Sequence, residues 1–265
     1  MDDQLSPLFP NGPGARRLSV PLPPGRAIVP EGSARAAYWL SDEPIDDDTL
    51  WWQLRDEHER SGLWPLLAGG LHDDLDRPWR DGEVAPQDMS APADHDPAEL
   101  LAGWWQELVV DEPDGTWLAS LRDFPALAPG KQVDQDQADE AANLTTSLML
   151  DGDDLLLLLV PAASGAAALA TAGWTGPTNH ENDMGKLAAV LASWQQRFGA
   201  QVVRADFATL WVTVGEPPGT YEEALPIAAE HFAFCPDNVW QSDHESLDDY
   251  ARSLVDTPVW SFWWD

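Results

Sequence analysis

The chain has little that would support redox, nucleic-acid or membrane chemistry. It contains a single cysteine, Cys235, so no internal disulfide bond can form. Its 14 Lys and Arg residues, only two of them Lys, are outnumbered by 46 Asp and Glu residues, and the formal net charge is −32. Nucleic acids and anionic membranes both need a basic face, which no stretch supplies. We therefore expect a cytoplasmic protein that binds neither, since one cysteine also fits a reducing compartment.

Long apolar runs and complete catalytic motifs are also missing. The longest apolar run, Leu155 to Ala163, is far too short to span a membrane. The first residues are acidic and rich in Pro and Gly, unlike a signal peptide. Glycine-rich phosphate-binding loops, HExxH, GxSxG and paired CxxC motifs do not occur. The motifs therefore point to no particular reaction.

Aromatic residues, in contrast, are abundant. The chain has 15 tryptophans, and each buries a large surface, so we expect most of them in the core. Three Trp-Trp pairs, at 51–52, 104–105 and 263–264, are also suited to line a groove for a sugar or a peptide. Core packing is the commoner role, and the sequence leaves both interpretations open.

Apolar periodicity predicts an α/β or α+β fold, with a mixed sheet flanked by helices. The continuous run Leu155–Val160 is typical of a strand buried on both faces. Pro65, within the short strand Leu63–Leu67, indicates a sheet edge. Other elements are predicted at 46–62, 97–110, 164–172, 181–198, 201–214, 220–232, 246–254 and 259–264.

Composition divides the chain into four regions. Residues 1–17 are expected to be a disordered tail, because they cannot bury enough apolar surface to offset the entropy of ordering. Residues 18–130 form an N-terminal α/β region, and the polar, acidic stretch 131–150 is interpreted as a linker. Residues 151–265 form a C-terminal domain, on which the N-terminal part packs.

A dense polar loop, residues 178–183, precedes a predicted helix. Exposed N–H groups at a helix start can bind an anion, and His180 with Glu181 has the residue types of acid–base chemistry. The candidate site residues of this loop are Asn179, His180, Glu181 and Asp183. The alternative is ordinary helix capping, with Thr178 and Glu181 as a capping box.

A second candidate group lies near the end of another predicted helix. His231 and Cys235 are four residues apart, with Asp237 just beyond, so an imidazole and a thiolate can share one helix face. Zinc needs four ligands, and the third and fourth would have to come from His180, His244 or Asp237, so we predict no metal and no cofactor. A cysteine nucleophile activated by His231 or His180 is a second interpretation. Otherwise Cys235 is a small buried residue and Asp237 belongs to a turn.

The C-terminal third contains several distinctive residue blocks. They are Leu191–Trp194, Phe198–Ala200, Pro217–Pro218, Glu223–Leu225, Ala229–Gln241 with its Cys-Pro-Asp-x-Val-x-Gln pattern, and Phe262–Asp265. With these blocks, residues of about 155–265 resemble the bacterial domain of unknown function family 4253. The resemblance implies a compact α/β domain and no activity, because the family has none assigned. Gln195 and Ala208 stand where relatives often carry His and Asp, so a function that depended on those groups is not implied here.

Two classes of function follow. The first is a non-enzymatic binding or interaction protein with a basic protein as its partner. Polymorphic-toxin immunity proteins share this general character, which is an analogy only. The alternative is a hydrolase-like enzyme that uses loop 178–183 with His231, Cys235 and Asp237. Whether the two segments meet in one pocket separates the two classes, and the sequence names no small-molecule ligand.

Overall fold

The computed structural model describes residues 3–9, 18–72, 74–111, 118 and 121–265. Within them, one sheet contains β1 (Gly25–Ile28), β2 (Tyr38–Ser41), β3 (Leu63–Ala68), β4 (Leu156–Pro161), β5 (Ala200–Ala205), β6 (Thr209–Val214) and β7 (Val259–Trp263). The strand order is β1-β2-β4-β3-β5-β6-β7. Strands β3 and β5 are parallel and the other neighbours antiparallel. The sheet is mixed, as predicted.

Helices flank this sheet and confirm the α/β class. They are α1 (Asp48–Asp56), α2 (His58–Ser61), α3 (Pro97–Asp111), α4 (Gln135–Gly152), α5 (Gly165–Ala172), α6 (Met184–Phe198), α7 (Tyr221–Phe234), α8 (Asp237–Trp240) and α9 (Leu247–Leu254). Shorter helical segments occur at Asp3–Leu8, Asp76–Arg80, Pro86–Asp88 and Pro92–Asp94. In the part of the chain that the structure describes, no helix is long and apolar enough to cross a membrane.

Side-chain caps explain where several helices begin. Thr220 accepts a hydrogen bond from the N–H of Glu223, and Ser246 accepts one from the N–H of Asp249, so these two residues cap α7 and α9. The predicted start of α6 at residue 181 is wrong, because Asp183 is its cap and the helix begins at Met184. Left-handed glycines then end α2, α5 and α6.

Both faces of the sheet are covered. In β4, Leu156 and Leu158 contribute to one core and Leu157 and Leu159 to the other, because successive strand residues point to opposite faces. Helices α3, α5, α6, α7 and α9 contribute to the first core, whereas α1, α4 and the segment Asp3–Leu8 contribute to the second. The continuous apolar run of β4 therefore reflects burial on both sides, as predicted.

Strand β3 is central, so the edge position predicted from Pro65 is wrong. Pro65 pairs in register with Leu159 of β4 on one side. On the other side, the parallel pairing with β5 involves only Leu67 and Ala68, beyond the proline. The missing N–H of Pro65 is tolerated because that ladder begins after it.

The structures predicted for two regions of the chain, the linker and the N-terminal tail, are also corrected. The proposed linker 131–150 largely forms α4, whose small inner residues Ala138, Ala142 and Thr146 are buried. The proposed tail 1–17 is not disordered over residues 3–9, because Leu5, Leu8 and other apolar side chains there are buried against the sheet. Residues 1–2 and 10–17 lie outside the described residues. Since β4 lies between β2 and β3, the N- and C-terminal regions share one sheet.

The carboxylate of Glu230, on α7, is fully buried and joins three parts of the chain. Arg197 of α6 donates to its two oxygens at 2.8 and 2.6 Å. The indole N–H of Trp194 donates at 2.7 Å and the backbone N–H of Ala128 at 2.6 Å. A buried carboxylate is stable only when its charge and its lone pairs are both compensated. This network therefore ties α6, α7 and the segment before α4 together.

We predict that Arg197→Met lowers the free energy of unfolding by about 3–5 kcal/mol, because it leaves the Glu230 charge buried without its partner. Urea denaturation measures this change. Arg26→Met is the control: its ion pair with Asp42 is about half exposed and should cost less than about 1 kcal/mol. Equal, small losses in both variants would contradict the central role of Glu230.

Candidate functional site

Asp183, predicted as a binding residue, caps the start of α6. Its Oδ1 accepts hydrogen bonds from the backbone N–H groups of Gly185 and Ser90, each at 2.9 Å. Partial burial opposes ionisation, but these hydrogen bonds and one from the Ser90 side chain hold the pKa of Asp183 below its usual value. The geometry is that of a helix cap that also fastens the loop carrying Ser90.

Glu181 and Asn179 are also engaged within the protein. Glu181 forms an ion pair of 2.7 Å with Lys186 and accepts a hydrogen bond from the N–H of Asp183 at 3.0 Å. Asn179 donates through its side-chain amide to the backbone carbonyl of Asp265. The loop is therefore fixed by its own polar groups. The capping box expected of Thr178 and Glu181 is wrong, because Asp183 caps α6 and the hydroxyl of Thr178 donates to the carbonyl of Thr175.

His180 is packed rather than free at the surface. Its ring lies 5.5 Å from that of Trp104, centroid to centroid. Burial lowers its pKa, although a hydrogen bond to the backbone of Ala233 and the charges of Glu181 and Asp237 act in the opposite direction. Its Nε2 is buried without a hydrogen-bond partner among the described residues.

The structure brings the two candidate segments together through Asp265. The backbone N–H of Asp265 donates to Oδ2 of Asp237 at 3.1 Å, and its carbonyl accepts from Asn179. His180 also lies within the electrostatic range of Asp237. Loop 178–183 and the turn at 235–237 thus adjoin, through contacts that occupy the amide of Asn179 and one oxygen of Asp237.

Cys235 is a buried thiol. Its Sγ donates to the carbonyl oxygen of Trp263 at 3.0 Å and lies 3.4 Å from Oδ1 of Asn238. Burial raises the pKa of Cys235 well above its usual value, so the reactive thiolate is strongly disfavoured. This environment suits the small buried residue and not the nucleophile of the hydrolase-like interpretation.

His231 is enclosed by aromatic rings. The ring centroids of Trp194, Trp260 and Phe262 lie 4.9, 4.5 and 4.9 Å from its own. Its Nδ1 is 3.0 Å from the hydroxyl of Tyr250. Burial, with a smaller contribution from the charge of Arg197, lowers the pKa of His231 to about 3. The imidazole is therefore neutral at physiological pH and closed to solvent.

The ligands for the zinc interpretation do not assemble in the part of the chain that the structure describes. No three His, Cys, Asp or Glu side chains there are grouped so that they could hold a metal ion. His244, one of the predicted ligands, lies 3.5 Å from Asp249 instead.

A concave site does exist beside these residues, which we call the C-terminal cleft. It has a volume of about 360 Å³ and lies between α8, α9 and the edge strand β7. Its lining consists of Asp237, Asn238, Gln241, Ser242, His244, Tyr250, Ser253, Leu254, Thr257, Val259, Trp260, Ser261 and Trp263. Asp237 borders the cleft, whereas His231 and Cys235 lie behind its wall.

Asn238 organises the wall of the cleft. Its amide donates to the carbonyl of Ser261 at 2.6 Å and its Oδ1 accepts from the N–H of Trp263 at 3.2 Å. The same side chain donates to the hydroxyl of Tyr250 at 3.2 Å. The side chain of Asn238 thus forms hydrogen bonds with backbone groups on the open edge of β7. Trp263, which is 40% exposed, lies at the rim of the cleft.

A second pocket, which the sequence reasoning missed, lies at the carboxyl ends of β3 and β5. It has a volume of about 240 Å³. Arg204 donates to both oxygens of Asp206 at 2.8 Å and to Asp153 at 2.5 Å. Burial raises the pKa of Asp206 despite the opposing effect of Arg204. Ligands often bind at such strand ends, but here the guanidinium is already satisfied by the protein.

Ser90 and His95 form another contact that the sequence did not indicate. The Oγ of Ser90 lies 2.5 Å from Nε2 of His95, and Ser90 also hydrogen-bonds to Asp183. In a catalytic Ser-His-Asp triad, the histidine lies between the serine and the acid. Here the serine lies between the other two, so the arrangement fastens a loop and does not activate a nucleophile.

We predict that Cys235 reacts negligibly with a thiol reagent such as 5,5′-dithiobis(2-nitrobenzoate) at neutral pH, because the buried thiol resists ionisation. One thiol per chain should react after unfolding in guanidinium. Rapid labelling of the native protein would contradict this environment and support a cysteine nucleophile.

We also predict a pH-dependent stability that His231 causes. Its folded-state pKa of about 3 lies below the unfolded value, so the unfolded chain binds an extra proton between these values, and stability falls as the pH drops below about 6.5. Between about pH 7.5 and 5.5, wild type should lose roughly 1.4 kcal/mol more than His231→Gln. Urea unfolding at the two pH values measures the difference, and parallel losses would refute it.

Comparison with known proteins agrees with the residue blocks of the C-terminal third. Residues 156–265 match the family model described as Domain of unknown function (DUF4253). No curated protein and no solved structure matched the chain. The matched region begins at β4 and includes the C-terminal cleft. The C-terminal region of the chain, residues 156–265, is therefore similar to the DUF4253 family, as its residue blocks indicate.

Proposed function

We propose that this chain is a non-enzymatic binding protein whose C-terminal cleft accepts a basic side chain of a protein partner. The observation that carries the proposal is the chemistry of the cleft: hydrogen-bonding side chains and an exposed indole line it, and none of its lining residues is Lys or Arg. An immunity-like role, in which such a protein masks a basic partner, is one form of this function.

The charge around the cleft supports a cationic ligand. Residues 237–256 contain six acidic residues and one Arg. A concave surface of one sign raises the local concentration of the opposite charge. The face of Trp263 at the rim adds a cation–π surface, which favours guanidinium and ammonium groups.

The buried state of the titratable groups argues against the hydrolase-like alternative. His231 is held neutral and the thiol of Cys235 resists ionisation, and both lie behind the cleft wall. Nucleophilic catalysis needs an activated nucleophile with a base in hydrogen-bond reach of the reacting atoms. A binding role needs only the surface of the cleft.

We predict that a fluorescein-labelled tetra-arginine peptide binds the protein and that Trp263→Ala weakens this binding about two- to fivefold. That range corresponds to the ~0.5–1 kcal/mol of an exposed cation–π contact. Fluorescence anisotropy measures the Kd, and Trp263→Phe, which keeps an aromatic face, should retain most of the affinity.

A matched pair of charge reversals separates the cleft from general attraction to an acidic protein. Glu245→Lys lies on the loop that borders the cleft, and Glu59→Lys changes the net charge equally on the distant helix α2. We expect the first to weaken binding more than the second. Equal effects would contradict the proposal, and hydrolysis of p-nitrophenyl acetate lost in His180→Gln would favour the enzyme instead.

A further inference from the structure

Helix α4 presents two leucines to solvent on one face. Leu144 and Leu148 are 62% and 64% exposed, and residues four apart in a helix are neighbours on its surface. The opposite side of α4 is buried through Ala138, Ala142 and Thr146. The two leucines therefore do not belong to the core, and they form an apolar strip on the outside of the molecule.

The strip has an acidic border. Helix α4 contains Asp136, Asp139, Glu140 and Asp151 and no Lys or Arg. Asp139, whose side chain is about half exposed, contacts Arg55 and Gln201. Glu140 and Asp151 are exposed and lie on the turns beside the leucines. An apolar strip with acids at both ends matches an amphipathic segment that carries basic residues beside its apolar ones.

The helix is held firmly enough to present this strip as a preformed surface. Ser147 donates to Asp48 of α1 at 2.7 Å, and Asp139 accepts from Gln201 of β5 at 2.6 Å. At its start, Asp134 caps the helix through the N–H groups of Asp136 and Gln137. A partner would therefore meet an ordered face and would not have to fold it.

We infer that the strip of Leu144 and Leu148 on α4 is a docking surface for a basic amphipathic helix of a protein partner. The inference rests on the proposed binding function and names a second contact surface for it, separate from the C-terminal cleft. A second copy of this chain is disfavoured as the occupant, since two acidic faces of a chain with net charge −32 repel each other.

The test uses a labelled synthetic helix with one leucine face and one lysine face, and a scrambled peptide of the same composition. We expect the ordered peptide to bind, and the double variant Leu144→Ser/Leu148→Ser to weaken its binding at least tenfold, because the apolar contact is lost. Added salt should weaken the wild-type complex as well.

The matched control is Val29→Ser/Val110→Ser, which removes two exposed apolar side chains elsewhere, 54% and 69% exposed. It should leave binding unchanged. Equal losses in the two double variants, or equal binding of the scrambled peptide, would overturn the inference. Circular dichroism checks that both variants fold, and Glu140→Lys, which leaves the leucines in place, should also weaken binding.

Two further measurements distinguish a failure of the docking surface on α4 from a failure of the binding function proposed for the C-terminal cleft. Trp263→Ala should not change the affinity for the amphipathic helix, and Leu144→Ser/Leu148→Ser should not change the affinity for tetra-arginine. If only the tetra-arginine result holds, the docking surface is wrong and the cleft proposal stands. A wild-type dimer in sedimentation velocity that the leucine variant abolishes would show self-association and overturn the inference.

Discussion

The rest of the structure depends on one buried charge, the carboxylate of Glu230. It lies inside a chain that is already strongly acidic, where an uncompensated carboxylate would be most costly. Arg197, Trp194 and the backbone of Ala128 compensate it from two other parts of the chain. The position of α6 against α7 is thereby specified by directed hydrogen bonds, which apolar packing alone does not provide.

The aromatic cluster around this network also decides what chemistry is open to solvent. Trp194 packs on Phe262 and Phe234 as well as on His231, so the imidazole becomes part of the core. Cys235, four residues after His231, is also buried. His231 and Cys235, which appear most reactive in the sequence, are thus buried in the fold, whereas the residues that line the C-terminal cleft include neutral polar groups, Asp237 and Trp263.

Local signals in the sequence locate elements well and long-range partners poorly. The caps at Thr220 and Ser246 and the apolar run of β4 depend on neighbouring residues, so they are readable. Helix α4 is not predicted from the sequence, because its buried side consists of small residues such as Ala138, which give no apolar periodicity. In the sequence, Glu230 is indistinguishable from an exposed acidic helix residue. One of its hydrogen-bond partners, the backbone of Ala128, is 102 positions away along the chain. The cleft likewise depends on which elements meet, which periodicity does not encode.

The position of β4 has consequences for how the chain folds during synthesis and where it can be truncated. During synthesis, β2 and β3 emerge well before β4, the strand that lies between them. Such non-local pairing delays closure of the sheet, because loop entropy must be offset before the contacts form. The boundary of the DUF4253 match, at residue 156, runs through the sheet itself. A truncation there would leave β4 and β5 with open edges, and open edges invite aggregation.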